Sequence, residues 1–197
     1  MKINYVIGAF LCVLGCYACS SPKTEVQSPD GHIKMTLTVD ENGKPFYNVS
    51  VDDSLLIENS AMGFTAANGI ILGEGFQVKN TTFSSEDETW TQPWGENKKN
   101  RNHYNEMAVN LTNEDHVQLT LRLRVFDDGI GFRYEYTVPT VDSLLITDEL
   151  TTFRFHRDGT SWSIPASAET YELLYQQQPI SEVETANTPF TFKTADG

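Results

Sequence analysis

The chain has 197 residues, with 14 Lys+Arg against 27 Asp+Glu and a formal net charge of −13. That length leaves no room for a complete (β/α)8 barrel of about 250 residues, and the acidity argues against a nucleic-acid partner, which needs a basic stripe. A hydrophobic fraction of 39% and an aromatic fraction of 11% are enough for a packed core rather than a disordered chain.

Residues 1 to 19 read as an export leader. Lys2 is their one charge, and the apolar run behind it is shorter than the roughly 20 residues of a membrane span. All three cysteines (Cys12, Cys16 and Cys19) fall in this leader, so neither a disulfide framework nor a cysteine-based zinc site is expected in the rest. Gly15 before Cys16 and Ala18 before Cys19 each resemble the end of a bacterial lipoprotein leader. Cys19 is the preferred acylation site and Cys16 the alternative register. Ordinary cleavage after Ala18 would instead release a soluble product. The expected location is therefore outside the cytoplasm, in the periplasm or at the outer membrane, with membrane contact only through a lipid. Residues 20 to 30, rich in Ser and Pro, read as a linker, and residues 31 to 197 as one domain.

From residue 33 onward the apolar period is two. Ile33, Met35, Leu37 and Val39 alternate with polar residues as in a half-buried strand. Asn42-Gly43 supplies the turn to a second strand carrying Tyr47, Val49 and Val51. Further strands are expected over 76 to 78, 107 to 111, 117 to 125, 130 to 138 and 150 to 155. Asp127-Asp128-Gly129 splits two alternating runs and reads as a hairpin turn rather than a metal site. Residues 168 to 177 are the best candidate for a short helix. Between them, residues 84 to 105 read as a long connection with Trp90, Pro93, Trp94 and the basic cluster Lys98, Lys99, Arg101 and His103. Such connections on a β scaffold often carry function. Glu86-Asp87-Glu88 in the same stretch reads as a solvated loop, because paired catalytic carboxylates are usually drawn from distant positions. The last residues, a strand over 190 to 193 and then half a turn, lead to the expectation of a fragment. The fold class is all-β, a sandwich or barrel.

Three stretches carry a family resemblance: 87 to 96 (DETWTQPWGE), 101 to 106 (RNHYNE) and 124 to 135 (RVFDDGIGFRYE). With Ser28-Pro29-Asp30-Gly31 and Trp162-Ser163-Ile164-Pro165-Ala166, they resemble, in order, the N-terminal domain of glycoside hydrolase family 97. The resemblance implies a β-supersandwich similar to galactose mutarotase, truncated here before a catalytic barrel that carries the acid and base. It also implies an exo-acting α-glucosidase or α-galactosidase of the bacterial envelope, an oligosaccharide substrate and calcium beside the reaction centre. By the same resemblance Glu172 is the calcium ligand reaching across from this domain, with Glu169 the runner-up; no catalytic residue lies on the chain.

Trp90 and Trp94 then have two readings, a sugar-facing or domain-facing loop against a loop-anchoring cluster. Arg101, Asn102 and His103, with Asn105 and Glu106, either line a substrate rim or brace the loop by hydrogen bonds. A stand-alone carbohydrate-binding envelope lipoprotein is the alternative for the whole chain.

Overall fold

The computed structural model describes residues 24–139 and 141–195; the leader, its cysteines and residues 196–197 lie outside the described residues. Strands β1 (Glu25–Gln27), β2 (Ile33–Val39), β3 (Pro45–Val51) and β4 (Ser54–Ala61) form one antiparallel sheet in that order. After the short β5 (Phe64–Ala66), strands β6 (Gln77–Thr91), β7 (Lys99–Thr112), β8 (Gln118–Phe126) and β9 (Gly129–Thr137) form a second. β10 (Ile146–Glu149) pairs with β5. β11 (Gly159–Ser163) lies between β12 (Gln176–Pro179) and β13 (Thr191–Thr194).

The two four-stranded sheets pack face to face because their alternation puts apolar side chains on one face of each. Val26, Met35, Leu37, Tyr47 and Val49 from the first sheet meet Met107, Val109, Leu111, Leu119, Leu121, Leu123 and Val125 from the second. Phe132, Tyr134 and Tyr136 of β9 pack against this core as an aromatic row, with Tyr134 and Tyr136 stacked. The hairpins expected at Asn42-Gly43 and Asp127-Asp128 both form.

Four expectations need correction. Residues 25–27 of the supposed linker are a strand, because Val26 is buried and pairs with Met35. Residues 84–105 are not a loop but most of a long hairpin, β6–β7, paired without a register break from Asn80↔Asn110 to Thr91↔Lys99. The strand expected over 150 to 155 is an extended segment hydrogen-bonded along β4, through Leu150 N to Gly63 O, Thr152 N to Ala61 O, and Glu58 N to Arg154 O. Only Phe155 makes a ladder bridge, to Ile57; the regular strand of this region is β10, just before it. The helix expected over 168 to 177 is absent. Ser167 Oγ accepts from the backbone N–H groups of Glu169 and Thr170, and Thr170 Oγ1 from that of Glu172. These hydroxyls occupy donors that a helical turn would have used.

Core side chains tie down the segment over 150 to 156, Ser60 through Arg154 N, Tyr134 through Thr151 and Tyr47 through Thr152. The Tyr47 hydroxyl donates to Thr152 O at 2.9 Å, and burial pushes its pKa up to about 12. Tyr47→Phe is expected to cost about 1–2 kcal/mol in urea unfolding, since it leaves a carbonyl short of its partner. A change within error would mean that the bond adds nothing to the anchorage.

Both sheets share their ends. At one end the β2–β3 turn meets Gly75 and Phe76 through Gly75 N to Asn42 O and Phe76 N to Gly43 O. At the other, the turn before β2 meets the β8–β9 turn through Asp30 N to Asp127 Oδ1 at 3.0 Å. From this second end the β6–β7 hairpin runs on past β8, whose last partner is Tyr104. The segment along β4 also leaves here, His156 N bonding Leu56 O, and leads into the β11–β13 sheet.

Candidate functional site

The arm formed by the outer half of β6 and β7 is braced across its two strands. Arg101 forks onto Asp87 with Nε to Oδ1 at 2.7 Å and Nη2 to Oδ2 at 2.8 Å. The hydrogen bonds of the fork hold the Asp87 carboxyl below the usual carboxylate range. On the opposite face Asn102 Nδ2 donates to Glu88 Oε1 at 3.0 Å. The tip is closed by Gln92 N to Lys98 O and by Gln92 Nε2 to Asn97 O, both 3.1 Å.

The five residues expected to bind substrate do not converge. Directly paired residues share a face and successive residues alternate. Trp90 therefore lies with Asn100, Asn102 and Glu88, while Arg101 and His103 lie on the other face with Thr89 and Asp87. Arg101 and Asn102 have the bracing role that was one of their two readings. His103 Nδ1 stands 3.4 Å from Asp127 Oδ2, close enough for an ion pair but without hydrogen-bond geometry, and is buried. Trp94 occupies the tip with 85% of its surface exposed, and Trp90 is half exposed. Neither anchors a core cluster.

Glu172 sits elsewhere, on the irregular stretch between β11 and β12. It is flanked by Tyr171, Leu173, Leu174 and Tyr175, all exposed, Leu174 at 89%. Its backbone N–H is held by Thr170, and its carboxylate has no hydrogen bond or ion pair among the described residues. Glu169 is exposed on the same stretch. No group of three His, Cys, Asp or Glu side chains suited to a metal occurs among the described residues. Glu172 therefore fits calcium only as a single carboxylate ligand, since the described residues offer no companions for it. The exposed apolar run was visible in the sequence as four large apolar residues in five, a pattern of neither period. It was masked by the expectation of a helix.

A third feature escaped sequence reasoning. On the outer face of the β6–β9 sheet the buried Glu106 accepts from Arg122 Nη1 at 2.8 Å and Arg124 Nε at 2.7 Å. Arg122 also donates to Glu135, which pairs with Arg133, and Arg124 lies 4.3 Å from the Tyr104 ring centre. The signal was the alternation of Arg122 and Arg124 with core leucines, facing Glu106 and Glu135 on the neighbouring strands. The network gives each carboxylate two guanidinium partners and serves structure.

A family model described as Glycosyl-hydrolase 97 N-terminal matches residues 26–197. A retaining alpha-galactosidase of Bacteroides thetaiotaomicron is 26% identical over 133 residues, covering 68% of this chain and 19% of that protein. Among solved structures, a glycoside hydrolase family 97 enzyme from Pseudoalteromonas sp. strain K8 in complex with acarbose matches with a TM-score of 0.79 and 36% identity, over 88% of this chain and 27% of the other. A variant of that enzyme in complex with panose matches equally. A beta-arabinopyranosidase, 24% identical with a TM-score of 0.67 over 77% of this chain and 26% of the other, shares the fold. The chain thus spans 19% of the galactosidase's length and 27% of the Pseudoalteromonas enzyme's.

Proposed function

Because the chain belongs to the N-terminal domain family of glycoside hydrolase 97, we propose that it is the non-catalytic domain of a calcium-dependent, exo-acting α-glycosidase. In this reading it packs on a catalytic barrel, completes the active-site pocket and presents Glu172 to the ion. The substrate class is an α-glucoside or α-galactoside. The leader supports export to the periplasm or outer membrane, with a lipid on Cys19 or, in the alternative register, Cys16.

One observation carries the reading: a carboxylate without a partner stands in the middle of an exposed apolar ledge. Apolar side chains in such a group favour being covered by another surface. Covering them desolvates Glu172, which is costly for an uncompensated charge. A cation on the covering surface resolves the conflict, and calcium suits it because it takes six to eight oxygen ligands that two domains can share. When bound, calcium supplies Lewis-acid polarisation near the sugar. What this chain does is fix the backbone of Glu172, whose N–H donates to the Thr170 hydroxyl, and flank its carboxylate with Tyr171 and Leu173, which exclude water once a second surface covers them.

The test replaces the N-terminal domain of a full-length family member with residues 24–195 of this chain. Glu172→Ala is expected to weaken calcium about tenfold or more and to lower the hydrolytic rate with it, added calcium restoring part of the rate. Calcium dependence equal to that of the unsubstituted fusion would remove Glu172 from the site.

A further inference from the structure

The tip of the β6–β7 arm differs from two other concave surfaces of the domain. The concavity beside the β2–β3 turn, about 550 Å³, is lined by Asp40, Glu41, Glu74, Glu114 and Asp115 with no cation among its lining residues. That is an acidic cluster with nothing to mark a ligand. The cleft beside β5, about 290 Å³, is mainly apolar. The tip borders an open, solvent-facing hollow of about 600 Å³ beside Gln92, Pro93, Trp94, Glu96 and Lys98. It combines a broad exposed indole with an amide, a carboxylate and an ammonium.

We infer that this tip is a carbohydrate-contacting site: Trp94 stacks on the apolar face of a pyranose ring, and Gln92, Glu96 and Lys98 exchange hydrogen bonds with its hydroxyls. The chemistry fits a neutral, hydroxyl-rich ligand. Flat C–H faces suit an aromatic ring, while amide and charged groups suit paired hydroxyls. The adjacent carboxylate and ammonium leave the tip with no net charge to favour an ion of either sign.

The tip is also preorganised. Gly95 has a φ of +121°, and a Cβ there would stand 2.5 Å from Gln92 Nε2, so glycine lets the Gln92 amide close the turn onto Asn97 O. The Asp87–Arg101 fork and the Glu88–Asn102 bond stiffen the two strands behind it. An indole carried on a braced turn leaves less backbone entropy to lose on binding. The expected sugars, α-linked glucosyl or galactosyl units, rest on the proposed function. The site itself needs neither calcium nor a second domain.

The experiment titrates the 197-residue chain with maltotriose and with melibiose in excess EDTA, following the indole N–H signals of its three tryptophans by NMR. Binding of at least one sugar with a dissociation constant on the order of 1 mM is expected, moving the Trp94 signal most. Trp94→Ala should weaken it about tenfold, and Lys98→Ala by less, with far-UV circular dichroism unchanged. No shift of the Trp94 signal by about 10 mM of either sugar, or binding untouched by Trp94→Ala, overturns the inference. Should the isolated chain aggregate, the same titration and variants are read in the full-length fusion. There, a Trp94 indole already shielded without sugar would assign the tip to a domain contact and overturn it equally. Failure of the calcium reading would leave this titration unchanged, so the two ideas fall separately.

Discussion

Replacing Gly43 by alanine is expected to destabilise the domain by about 3 kcal/mol, the sum of backbone strain and steric overlap. Gly43 has a φ of +74°, and a Cβ there would stand 2.3 Å from Phe76 N and 2.7 Å from Phe76 O. Backbone, not a flexible side chain, is what it would meet. The β2–β3 turn must therefore shift, and with it the bonds from Gly75 N to Asn42 O and from Phe76 N to Gly43 O. Those bonds pin the segment entering β6, whose Phe76 is buried in the core. Gly31 separates the two contributions, because it has a φ of +83° but nothing within 4 Å of a built Cβ. Gly31→Ala should lose only about 1 kcal/mol, the conformational part. Equal losses at the two positions, measured by urea unfolding, would refute the close approach.

The Asn-Gly turn was legible in the sequence, but not the reason for its glycine. Turn chemistry is local, whereas the approach of Gly75 and Phe76 is set by the packing of one sheet on the other. The same division runs through the rest of the fold. β2, β3 and β8 alternate because one face of each is buried and the other wetter, and β9 alternates in sequence with its aromatic face partly buried; residue patterns alone recover all four. β4 does not: Leu55, Leu56 and Ile57 are consecutive, Asn59 has a φ of 40°, and the pairing with β3 slips between Tyr47 and Val49 and again before Ser50. Bulges of that kind break the period on which strand recognition depends. The outer half of β6 was hidden for another reason. It buries almost nothing, so no apolar stripe marks it, and its extended form is imposed by β7.

The candidate sites divide in the same way. The stretch from Trp90 to Glu106 drew notice by composition, yet the alternation that places Arg101 and His103 opposite Trp90 and Asn102 becomes visible only once the segment is known to be a hairpin. Glu172 was reached through resemblance alone. What the fold adds is its setting, an acid among exposed apolar side chains, from which the proposed cation role is argued. Both features leave the sandwich from the end that carries the Asp30 and Asp127 turns. The opposite end holds the Gly43 contact and a cluster of acids. The sandwich thus separates a structural end from one that presents side chains outward.

Glu106→Ala is expected to cost about 2–3 kcal/mol, although the residue belongs to neither site. Its carboxylate is buried and bonded to two guanidiniums. Truncating one member of a buried charge cluster strands the others, a loss of about 3–5 kcal/mol when all are enclosed. Arg122 and Arg124 keep about a third or more of their side-chain surface, so water recovers part of that. Burial pushes the Glu106 carboxyl upward, but the hydrogen bonds from Arg124 and Arg122 outweigh it and hold the group below its usual value of 4.5. A carboxyl depressed in the folded state contributes stability that is complete above the unfolded value and is lost as pH falls through the folded one. The stability difference between the native chain and Glu106→Gln should therefore be flat from about pH 7 to pH 5.5 and shrink below about pH 4.5. A difference that persists unchanged to about pH 3 would mean that packing, not charge, holds Glu106. Arg124→Met in the Glu106→Gln background should recover part of the loss, because Arg122 keeps Glu135 whereas Arg124 has no second carboxylate partner among the described residues, and methionine keeps the apolar stem that covers the sheet.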